Sequence, residues 1–104
     1  MYVSSSLSEF ALEHRKFIVA MGWDYSKSPL ESVALICEEI GELTHELRQP
    51  IVDKEKAGQE IADIILRAID LAYEMDIDPS AAVFKKIINN FDNIEKHKAK
   101  GRVI

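Results

Sequence analysis

Two long stretches with apolar residues every three or four positions, separated by only a few residues around Pro50, constrain this chain more than any other feature. The first stretch carries Leu30, Val33, Cys37, Ile40 and Leu47, and the second carries Ala57, Ile61, Ile64, Ile65, Ala68 and Leu71. Residues Gln49 to Asp53 are too few for anything but a tight reversal, so the spacing predicts an antiparallel helical hairpin. Its first helix is expected from Pro29 to about Arg48, because Ser28, Pro29 and Glu31 place a cap, a favoured first residue and an acid where a helix start wants them. Asp53 is the expected cap of the second.

The same chemistry marks a helix on either side. Ser6 with Glu9 opens a segment bearing Phe10, Phe17, Ile18 and Met21 that should stop near Gly22. Asp78 with Pro79 opens another bearing Ala82, Val83, Ile87, Phe91 and Ile94. No strand alternation persists, so the expected fold is all-α, a four-helix bundle with the hairpin at its centre. Its 104 residues are expected to form a single domain, with a basic tail from about Lys96 to Arg102 that frays.

Charge and cysteine usage exclude several roles. A formal net charge of −5 disfavours general binding to nucleic acid or anionic membrane. No run of about eighteen apolar residues occurs, and Met1 to Ser8 lacks the basic start and apolar stretch of an export signal. The lone Cys37 has no internal disulfide partner, which fits a reducing cytoplasm, and its apolar surroundings predict a buried structural thiol.

The hairpin also carries acids. Glu38, Glu39 and Glu42 lie on its first helix, Glu60 and Asp63 on its second. Residues three apart share a helix face, and a turn centred near Ile51 sets Glu42 against Glu60 and Glu39 against Asp63. Two carboxylates about 5 Å apart repel by roughly 3 kcal/mol at an effective dielectric near 20. Several such pairs need protons or a cation, and an all-oxygen set suits Mg²⁺ or Mn²⁺. Periodicity alone leaves an exposed acidic face as the alternative. Glu42 with His45 is half of a di-iron carboxylate motif, but Ala11 and Ile94 stand where a second acid would precede His14 or His97.

Read together, Glu38-Glu39-Ile40-Gly41-Glu42 and Glu60-Ile61-Ala62-Asp63 resemble the E-E-x-x-E and E-x-x-D signature of the MazG-like all-α nucleoside triphosphate pyrophosphohydrolases. His14-x-x-Phe17, Trp23 and Pro29 ahead of Glu39-Ile40-Gly41-Glu42-Leu43 are similar in order and spacing to the branch that acts on dCTP, and Ala82-Val83 with Lys86 and Asn90 resembles the K-x-x-x-N element of the family's fourth helix. The resemblance covers about residues 10 to 90.

It implies that Glu39, Glu42, Glu60 and Asp63 hold Mg²⁺, with Mn²⁺ a possible substitute, and that Glu38 orients the attacking water or a further metal. It further implies that Lys86 and Asn90 approach phosphate or sugar. The flat face of Trp23 suits stacking on a base beside Phe17, with His14 able to meet a base edge. The implied activity converts a nucleoside triphosphate, expected to be a deoxynucleotide, to its monophosphate and pyrophosphate. The implied setting is cleansing of the nucleotide pool by a homodimer or homotetramer in the cytoplasm. The chain departs from the pattern at Phe91-Asp92-Asn93, where basic residues often follow the asparagine, and at Arg67, where the dCTP-type branch tends to have an aromatic residue. A non-catalytic helical module that binds metal or another protein is the competing expectation.

Overall fold

A computed structural model of the chain describes residues 6–23 and 28–99. Among them the fold is all-helical: α1 (Leu7–Ala20), α2 (Pro29–Leu47), α3 (Lys54–Glu74), α4 (Pro79–Asp92) and α5 (Ile94–Ala99). The four long helices begin at the expected caps. Ser6 and Ser28 each accept from the backbone N–H three residues on, and Asp53 and Asp78 each accept from two such groups. Each cap satisfies donors that the first helical turn leaves orphaned.

Helix α1 stops because Gly22 adopts φ +72°, a left-handed conformation open to glycine. The Gly22 N–H then reaches Val19 O at 3.0 Å and the Trp23 N–H reaches Ile18 O at 2.9 Å. This paired return of two N–H groups fixes where Trp23 leaves the helix. Helix α3 ends in the same way, with Asp76 at φ 57° and the Ile77 N–H bonded to Ala72 O at 2.8 Å.

Helices α2 and α3 form the expected antiparallel hairpin, and α3 is the central element, touching α1, α2 and α4. Polar groups tie this arrangement together. Arg15 of α1 donates to Asp70 of α3 at 2.8 Å, lies 3.7 Å from Glu74 and stacks its guanidinium 4.4 Å above the Tyr73 ring. Ser32 of α2 completes the link by donating to Glu74 at 3.2 Å. At the other end Ser8 donates its hydroxyl to Asp78, while its N–H donates to Ser80 Oγ at 2.9 Å. Ser80 thus caps the start of α1, and Ser8 holds the side chain that caps α4.

Three expectations are corrected. The stripe Leu30, Val33, Cys37, Ile40 and Leu47 does not form the core: these residues are exposed, and α2 meets α3 through the face containing Ser32, Leu35, Ile36, Glu39 and Leu43. Cys37 is accordingly exposed rather than buried. Ile61 and Ile65 of α3, Phe10, Phe17 and Met21 of α1, and Val83, Ile87 and Phe91 of α4 are likewise exposed, whereas Ala11, Ile18, Ala57 and Ile69 form the buried core. The physical reason is that these helices carry more apolar surface than one short chain can cover.

The fourth helix also breaks at Asn93, whose side chain donates to Asn89 O at 2.8 Å, so that Ile94 begins α5. The beginning of the expected fraying tail, Lys96 to Ala99, is thus helical, while the expectations for segments 1–5 and 100–104 lie outside the described residues.

Candidate metal centre and adjoining cavity

The hairpin brings acids from both of its helices to one level. Carboxylate oxygens of Glu39 and Glu42 on α2 and Glu60 on α3 lie within 4.8 Å of one another. Glu39 is buried at 8% exposure, Glu60 is half-buried and Glu42 is exposed. The level places Glu42 against Glu60, as the turn geometry predicts, and burial together with a hydrogen bond between them and the charges of Glu42, Asp63 and Glu39 pushes the Glu60 carboxyl above the ordinary range. Asp63 acts on Glu60 through its charge but does not join the three-oxygen group. Glu38 is exposed on α2 and also stands outside it.

The donor set fits a hard divalent cation. Glu39 Oε2 and Glu60 Oε2 are buried without a hydrogen-bond partner, and burying such groups unpaired is unfavourable. All three residues offer oxygen, the ligand type Mg²⁺ and Mn²⁺ prefer. Glu39 nonetheless has one partner: Arg67 Nε donates to its Oε1 at 2.9 Å.

A cavity of about 600 Å³ adjoins this level, walled by His14, Phe17 and Trp23 on one side and Asp63, Arg67 and Asp70 on the other. Its volume falls in the range of small-molecule sites. His14 and Phe17, one helical turn apart, stack with ring centroids 6.4 Å apart, and Phe17 meets Trp23 edge to face at 5.6 Å. The turn at Gly22 delivers Trp23 to this cluster, where it stays 51% exposed and free to take a planar ligand. His14 Nδ1 is buried without a partner beside them. Three of the five expected substrate contacts thus meet in one place. Lys86, exposed on α4, and Asn90, half-buried there, do not line the cavity.

The sequence reading left Ser32, Leu35, Arg67 and Asp70 out of the site, though all four line the cavity. Their signal was present in part: Asp63, Arg67 and Asp70 recur at helical spacing on α3, which puts them on one face. No family model matches the chain, and no curated protein matches it.

Proposed function

We propose that the chain is a divalent-cation-dependent nucleoside triphosphate pyrophosphohydrolase of the MazG-like all-α type, adding water across the α–β anhydride to give a monophosphate and pyrophosphate. The single observation that carries this reading is the juxtaposition of an oxygen triad with unsatisfied buried oxygens and an aromatic-walled cavity, bridged by Arg67 and Asp63. The motif resemblance supplies the reaction class, and the juxtaposition supports it with a carboxylate set suited to a cation beside a space with aromatic walls.

In this reading Glu39, Glu42 and Glu60 hold the cation, with Asp63 completing the set from the cavity wall. Bound Mg²⁺, or Mn²⁺ in its stead, would neutralise phosphate charge and lower the pKa of a water. Phe17 and Trp23 grip the base by stacking, and His14 meets its edge. Glu38, exposed and outside the triad, is left to accept the proton of the attacking water. Lys86 and Asn90, both on α4, serve phosphate or sugar from outside the cavity wall. A deoxynucleotide is the proposed substrate class and clearance of unwanted nucleotides the proposed role.

The active species is a homodimer or homotetramer. Supporting this, Phe84, Ile87, Ile88 and Phe91 form an exposed stripe along α4 at the spacing by which one helix packs on another, and α2 carries a second.

Purified protein incubated with Mg²⁺ and a panel of standard and modified nucleoside triphosphates should release monophosphate and pyrophosphate from at least one. Turnover of none would favour a non-catalytic helical module. Replacing groups that only orient the ligands of a metal typically lowers affinity or activity ~10–100-fold, so Glu42→Gln and Asp63→Asn, which remove ligands outright, should each reduce turnover at least that much while helical circular dichroism is retained. Full activity in both variants would remove the metal assignment.

A further inference from the structure

Among the described ion pairs, the one that reaches into the acid triad is made by Arg67, and it lands on the most buried of the three acids. Its Nε donates to Glu39 Oε1 at 2.9 Å across the α2–α3 interface, with the Glu39 side chain only 10% exposed. The Arg67 side chain is 38% exposed and forms part of the cavity wall that also contains His14, Phe17 and Trp23. One end of this side chain thus belongs to the carboxylates and its flank to the ligand space. A buried carboxylate needs a compensating charge, and in the free protein the guanidinium is that charge.

We infer that Arg67 is the resident counter-ion of Glu39, that a divalent cation entering at the unpaired oxygens of the triad competes with it by charge, and that the loosened guanidinium then pairs with a phosphate of the nucleotide. The inference rests on the hydrolase reading given above and adds to it an order of events within the site. Arg67 holds Glu39 Oε1 and leaves Oε2 unpaired for a ligand, but a divalent ion on Oε2 and a guanidinium on Oε1 repel each other at short range in a part-buried setting, so the ion weakens the Arg67 contact. The planar fork of arginine is well matched to phosphate oxygens, which gives the loosened group a destination within the same cavity. Exchange of partners leaves Glu39 compensated before and after, first by the side chain and then by the ion. The cation and the nucleotide consequently favour one another: the ion frees Arg67 for phosphate, and phosphate keeps Arg67 away from Glu39.

The test uses Mn²⁺ alone as the first probe, titrated calorimetrically into the full chain and into Arg67→Gln without nucleotide. Removing the competing charge should tighten Mn²⁺ binding by roughly tenfold, the equivalent of one unit of differential interaction on the logarithmic scale. The rise in Tm produced by a fixed Mn²⁺ concentration should be larger in Arg67→Gln than in the parent. With Mn²⁺ saturating, affinity for a triphosphate carrying a non-hydrolysable α–β imido bridge should fall by about the same factor. Arg67→Lys, which keeps the charge without the fork, should lie between the two for Mn²⁺.

Equal or weaker Mn²⁺ binding by a folded Arg67→Gln, in a protein whose parent binds the ion, would overturn the exchange and leave the hydrolase reading standing. Absence of Mn²⁺ binding in the parent and in the variant would overturn both together.

Discussion

Glu60 and its neighbours set a stability problem that a single substitution exposes. Its carboxyl is held above the ordinary value by burial first, then by the hydrogen bond and charge of Glu42, with smaller pushes from Asp63 and Glu39. The folded chain therefore holds the Glu60 proton more tightly than the unfolded chain does. Linkage then makes this residue destabilising as pH rises through its folded pKa, while below the unfolded value the effect vanishes because both states are protonated. Glu60→Gln should raise the Tm of the cation-free protein at neutral pH, and the difference from the parent should close on acidification to about pH 4. Thermal melts across that range check the sign. Added Mg²⁺ should stabilise the parent and leave Glu60→Gln little changed. A variant that melts lower than the parent at neutral pH would show that Glu60 is compensated in some other way.

At the scale of helices, punctuation was the most legible part of the sequence. Ser6, Ser28, Asp53 and Asp78 each announce a helix start through a short side-chain acceptor, and each caps in the folded chain because the bond is local and needs no tertiary partner. The level of Glu39, Glu42 and Glu60 was legible for a related reason, since a short turn fixes which residues of a hairpin face each other. The packing face of α2 was not. Apolar residues occur on two sides of that helix, and a period of 3.6 says that a stripe exists without saying which neighbour covers it. Arg67 was hidden for the opposite reason, because its meaning lies in Glu39, twenty-eight positions away on another helix.

Tertiary partners also change what a cap does. The hydroxyl of Ser8 is the leading cause of the depressed pKa of Asp78, followed by the N–H of Ala81, with a smaller contribution from that of Ser80. A lowered folded pKa means that stability from this junction is present above the unfolded aspartate value, about 3.9, and is lost as pH falls through the folded one. Asp78→Asn should therefore flatten the acid limb of the stability curve, and Ser8→Ala should flatten it in part. Denaturant midpoints between pH 2 and 6 provide the measurement. An acid limb identical in all three proteins would place the sensitive group elsewhere.

For the whole molecule, the distribution of apolar surface matters more than its amount. Phe84 and Phe91 are about two-thirds exposed, Ile87 and Ile88 close to half, and all four share one stripe of a helix with no buried residue of its own. A stripe of this kind packing on its own copy is self-complementary, so each substitution acts twice in a dimer. Burying one large apolar side chain is worth about 1.5–3 kcal/mol, so Phe84→Glu should weaken association at least ~100-fold. Light scattering after size-exclusion chromatography at micromolar concentration should find the parent above the 11.8 kDa of one chain and the variant at that mass. A parent that runs as a monomer at every concentration would remove the oligomer from the proposal.

The turn at Gly22 has a further consequence, of a practical kind. It leaves the indole of Trp23 on the cavity rim beside Phe17, and the chain contains one tryptophan. Light absorbed by that indole is emitted from a single known address, so its brightness and colour register what enters the cavity without any attached dye.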